Sequence, residues 1–193
     1  MGTSRYLIGV ALAASVVSAV ARAESFEANG ACRDGLPQGV YELRDDAGRL
    51  RVLGAYNQGR RTGSFLFWNR AGVRVAHVPF DEDAINGTVS LWYESPALEP
   101  QRRLEARYTA NRPNGEKRAW SSDGRLRARI RYRDGELVSA EAWDSAGSRL
   151  PDQDAAALAA RELTGDRQHL DALFETVKAH PPSCHTASSA RAD

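Results

Sequence analysis

The stretch YNQGRRTGSFLFWNRAG, residues 56–72, decides how this chain is built. Counting from Tyr56, glycine stands at +3, +7 and +16 (Gly59, Gly63, Gly72) and tryptophan at +12 (Trp68). The same offsets recur from Tyr108, with Gly115, Trp120 and Gly124, and from Phe80, with Gly87 and Trp92. From Tyr132 the chain offers Gly135 at +3, then Trp143 and Gly147 one residue early. Stepping back 24 residues from Tyr56 reaches Cys32, with Gly35, Gly39 and Gly48 in place and Arg44 where tryptophan stands elsewhere. All four tryptophans of the chain therefore occupy one position of a repeated unit, and internal repetition governs the fold.

One unit reads as a β-hairpin. Leu126–Tyr132 (LRARIRY) alternates apolar and charged residues, the pattern of a strand with one covered and one wet face. Turn formers separate such segments: Asn57-Gln58-Gly59, Asn69-Arg70-Ala71-Gly72, Ser121-Ser122-Asp123-Gly124 and Asp134-Gly135. The anchors Tyr56, Phe80, Tyr108 and Tyr132 are 24, 28 and 24 apart, and the four extra residues fall in the loop from Ser95 to Gln101, with Pro96 and Pro100. The expectation is mainly β with C-terminal α: an elongated antiparallel meander of five hairpin units, about ten strands, over residues 32–150.

This pattern resembles the bacterial variant of the MORN repeat family, whose motif is G-x-x-x-x-W-x-x-x-G preceded by an aromatic residue and a turn. Gly63–Gly72 and Gly115–Gly124 match it in full. The third unit lacks the closing glycine, the fifth is one residue short, and the first lacks both aromatic and tryptophan. Proteins with this repeat often carry the label of YwqK-type antitoxins. The resemblance implies a scaffold and brings no catalytic residue with it.

Residues 1–23 read as a cleaved signal peptide. Arg5 supplies the positive start, Tyr6–Val20 is an uncharged apolar run too short to span a bilayer, and Ala21-Arg22-Ala23 gives a small-x-small cleavage site. Residues 24–31 then form a short leader. Over the whole chain 26 basic residues face 25 acidic ones, net +1; without residues 1–23 the count is 24 to 25, net −1. Such a balance offers no basic domain for nucleic acid. No other long apolar run follows, so the expected location is periplasmic or secreted, with no transmembrane segment in the mature chain.

After Pro151 the glycine-rich turns stop. Ala155, Leu158, Ala159 and Leu163 follow helical spacing, Thr164-Gly165-Asp166 reads as a stop and a new N-cap, and Leu170, Leu173, Phe174 and Val177 follow helical spacing again. Residues 151–180 are thus expected to form two amphipathic helices that cover the apolar sheet face or cap the last hairpin, and residues 181–193 a flexible tail. Cys32 and Cys184 are the only cysteines, and an even count in an oxidising compartment points to a disulfide. Ten strands span roughly 43 Å, so that bond requires the helices to run back toward the first unit.

No G-x-S-x-G elbow, P-loop or H-E-x-x-H motif is present, and the chain reads as a non-enzyme without cofactor or metal. His180, Cys184 and His185 are irregularly spaced for zinc, and Asp81-Glu82-Asp83 is followed by Ile85, where a calcium loop needs oxygen. The most informative surface feature is a set of arginines, Arg103, Arg107, Arg127, Arg129 and Arg131, which strand alternation places on one exposed face as a candidate site for an acidic partner. An ordinary solvated strand face is the competing explanation. The expected function is an exported protein-interaction module, with a periplasmic immunity or antitoxin-type protein and a secreted toxin as one pairing. The alternatives are an envelope structural or assembly factor that binds anionic lipid or cell-wall components, and, last, a hydrolase.

Overall fold

The computed structural model describes residues 25–94 and 100–184; the expected signal peptide and residues 185–193 of the expected tail lie outside them. Eleven strands precede one helix: β1 Phe26–Arg33, β2 Leu36–Asp45, β3 Leu50–Asn57, β4 Arg60–Trp68, β5 Arg74–Asp81, β6 Ala84–Ile85, β7 Gly87–Trp92, β8 Arg102–Thr109, β9 Arg112–Trp120, β10 Leu126–Arg133, β11 Glu136–Ala142, and α1 Asp152–Ala179. Ten strands form one antiparallel meander in chain order, and the short β6 pairs only with β5.

Two kinds of turn join the strands. On one side stand tight turns whose two central residues both take positive φ: Asp34-Gly35, Gln58-Gly59, Glu82-Asp83, Ala110-Asn111 and Asp134-Gly135. That backbone twist matches the right-handed twist of the flanking strands. On the other side, a four-residue turn closes with glycine, as at Asn69–Gly72, where Gly72 has φ +77° and the Asn69 side-chain oxygen accepts hydrogen bonds from the Ala71 and Val73 amides.

One face of the sheet is apolar. Tyr41, Phe65, Val78, Val89, Ala106 and Ile130 succeed one another across it and are all buried. Gly54 keeps a gap in this layer that the Phe65 ring fills, since a Cβ there would stand 2.5 Å from that ring. Helix α1 covers this face. Leu170 and Val177 pack with the larger aromatic cluster, while Ala155 and Ala159 let the first half approach Ala119, Ala128, Ile130 and Tyr132 closely.

A single helix of 28 residues replaces the two expected from Gly165 and Asp166. A Cβ at Gly165 would meet nothing within 4 Å, and Asp166 is buried in an ion pair instead of capping a helix start. One mid-helix glycine costs only about 1 kcal/mol, less than that packed face returns. At 1.5 Å per residue, the helix is about 42 Å long. It starts beside β11 and ends against β1 and β2, where the Tyr41 hydroxyl donates to the His180 carbonyl at 2.7 Å and Pro182 packs on Gly30. Beyond it Cys184 is bonded to Cys32, with Cα atoms 5.6 Å apart. Residues 181–184 of the expected flexible tail are therefore held to the first hairpin.

Candidate functional site

The arginines divide between the two faces of the sheet, and β-bulges decide which goes where. In the β7–β8 pair, Leu91 opposes Leu104 and Trp92 opposes Arg102, which leaves Arg103 as an extra residue. In the β9–β10 pair, Ala119 opposes Ala128 and Trp120 opposes Leu126, which leaves Arg127 extra. A bulge re-aims the inserted side chain. Arg127 accordingly reaches the helix, its guanidinium donating to the Glu162 carboxylate at 2.7 Å, and Arg103 lines the same groove beside Asp166. The expectation of one shared exposed face fails for these two, because simple alternation takes no account of an inserted residue.

Arg107, Arg129 and Arg131 stay exposed on the helix-free face. Arg129 lies 3.8 Å from Glu141, and Arg102 and Arg118 pair with Glu105 and Glu116. Arg107 and Arg131 make no ion pair among the described residues. The four tryptophans lie on this face too, since each follows a buried partner, Phe67, Leu91, Ala119 or Ala142, by one residue. They are half-buried, and two of them pack against cations: Arg74 stacks 4.4 Å from the Trp92 ring, and Arg102 lies about equally far from Trp92 and Trp120. Trp92 and Trp120 thus pack the guanidinium groups of Arg74 and Arg102 at one end of the strands.

The helix-covered face holds what sequence reasoning missed. Lys117 sits in the middle of the apolar layer, between Ala106 and Ile130, with 2% of its surface exposed. It pairs with Asp166 and, at 3.2 Å, with Glu162. Burial raises the Asp166 carboxyl above its ordinary range despite Lys117. Burial pushes Glu162 the same way, but Lys117 and Arg127 outweigh it and hold that carboxyl low. The only signal available was a lysine in an otherwise arginine-rich chain, within a run, Glu116-Lys117-Arg118, whose charges hide the alternation.

Of the other candidates, Glu82 and Asp83 occupy a tight turn, where Asp83 pairs with Arg61 at 2.8 Å and Glu82 with Arg60 at 2.9 Å. His77 contacts the Ser64 hydroxyl at 2.9 Å on the open helix-free face, and burial lowers its pKa, which keeps the imidazole neutral near pH 7. His180 donates from Nδ1–H to the Thr176 carbonyl at 2.8 Å and stacks edge-on against Phe26. His185 lies outside the described residues. No group of three His, Cys, Asp or Glu able to hold a metal occurs among the described residues, and no helix there is long and apolar enough to cross a membrane. Compared with known proteins, the sequence matches no family model and no curated protein.

Proposed function

We propose that this chain is an exported, non-enzymatic module that binds another protein through the helix-free face of its sheet. The observation that carries this reading is the asymmetry of cover: α1 shields one face along its breadth, while the other presents the unpaired Arg107 and Arg131 and the exposed Val40 to solvent. Guanidinium groups with no ion-pair partner among the described residues suit carboxylates on an acidic partner.

Five MORN-like hairpin units are supported by the turns. Each positive-φ pair falls at the second and third residues after Cys32, Tyr56, Phe80, Tyr108 and Tyr132. The bulged residues Arg51, Val75, Arg103 and Arg127 likewise each stand five before Tyr56, Phe80, Tyr108 and Tyr132. Export is supported by the disulfide, which fits an oxidising compartment, and by the leader pattern of residues 1–23. Within that class, an immunity or antitoxin-type protein follows from the repeat resemblance.

The test uses the oxidised mature chain as bait in periplasmic extract, beside an Arg107→Glu, Arg131→Glu double variant. A partner captured by the first and lost from the second, with unchanged melting, is the expected result. Identical capture by both ends the reading. For immunity specifically, cells lacking the protein should die under attack that carriers survive.

A further inference from the structure

We infer that the groove between the sheet and the middle of α1 is a binding site for a dicarboxylate, held by Arg103, Arg127 and Arg161. It lies on the face opposite Arg107 and Arg131 and so stands apart from the reading above. The groove encloses about 350 Å³, enough for a small organic dianion.

The argument is one of charge and aim. Two bulges, 24 residues apart in sequence and two strands apart in the sheet, turn Arg103 and Arg127 inward to the same groove, and α1 adds Arg161 from the other wall. The floor carries Glu162 and Asp166, but Lys117 takes both and Arg127 takes Glu162 as well. Counting these six groups, four cations meet two carboxylates, a surplus of two positive charges. Arg103 and Arg161 make no hydrogen bond or ion pair among the described residues. Arg103 is half-buried beside Asp166, whose carboxylate is already taken by Lys117, and an anion in the groove would give its guanidinium a hydrogen-bonding partner. A dicarboxylate matches the surplus, each carboxylate meeting a planar guanidinium fork.

Gly165 gives independent support. It lines the groove, and a Cβ there would meet nothing within 4 Å. Glycine is a poor choice for the middle of a helix, and no packing demands it here. What it does is leave the groove open.

The experiment follows the arginine Nε–H resonances of the oxidised mature chain by NMR at constant ionic strength, titrating succinate, acetate or a Glu-Glu dipeptide. Succinate binding more tightly than acetate supports a free dicarboxylate as the ligand. Binding by Glu-Glu alone supports the same site with an acidic protein segment as the source. Arg103→Gln should weaken the tightest of these at least tenfold, and Gly165→Leu should abolish it without lowering the melting temperature, while Arg33→Gln at the exposed end of β1 changes nothing. No response to any titrant, or binding unaltered in both groove variants, overturns the inference.

Discussion

Lys117 and Asp166, 49 residues apart in the chain, form an ion pair in the middle of the protein's apolar layer. The pair divides the core. On the β1–β8 side lie Tyr41, Phe65, Phe80 and Leu91, and on the β9–β11 side the smaller Ala119, Ala128, Ala142 and Ile130. It also fixes the sliding position of α1, because only one helical residue stands where Asp166 does.

Replacing Lys117 by methionine should cost about 3–5 kcal/mol, since Asp166 would be left buried without its paired cation while Glu162 keeps Arg127. Adding Asp166→Leu should restore much of that loss. Urea unfolding of the two singles and the double measures it; a double variant as unstable as the sum of the singles would show that the pair is not coupled.

Acid should unfold the protein, with one group opposing. Glu162 is held low by Lys117 and Arg127, and Asp123 is held down to about 2 by the hydrogen bonds its carboxylate accepts from Arg125. Groups with lowered folded pKa values bind fewer protons folded than unfolded. Their contribution is full above about pH 4.5 and is lost as pH falls toward 2. Asp166, raised by burial, has the opposite sign and gains as it protonates. Melting temperature against pH should therefore fall below pH 4.5, and fall more steeply in Asp166→Asn.

Ala110 adopts φ +47° in the turn between β8 and β9, a conformation that strains any residue with a Cβ. Ala110→Gly should stabilise by roughly 0.5–1 kcal/mol, set against the greater freedom of glycine in the unfolded chain. Gly135→Ala, at φ +92°, should lose about as much. Thermal denaturation of both variants checks the sign of each.

Removing the disulfide by Cys32→Ser with Cys184→Ser should cost on the order of 4–5 kcal/mol by the loop-entropy argument, because the bond spans 152 residues. The loss should appear in denaturant midpoints, and amide exchange should rise first in the last turn of α1 and in β1.

How far the sequence is readable depends on how local each cause is. The alternation of Leu126–Tyr132 and the turn residues at Asp134-Gly135 mark strands and hairpins directly, because a strand face and a positive φ each leave a trace in residue type. The Cys32–Cys184 bond was readable by elimination. The bulges at Arg103 and Arg127 were not, since an inserted residue carries no type of its own and shows only against its partner strand. Gly165-Asp166 reads as a break in any helix considered alone. Only Lys117, reached across 49 residues, makes Asp166 an interior position. The groove is invisible from the sequence for the same reason: its walls come from β8, β10 and α1.

Cys32 and Cys184 stand near the two ends of the described chain, and every strand turn from β2 to β11 lies between them. A protease that cuts any one of those turns leaves both fragments in a single covalent molecule, with its strands still side by side. A tension applied to the ends likewise passes through the sulfur bridge and leaves the meander unloaded. That closure lets the sheet outlast damage to its own connections.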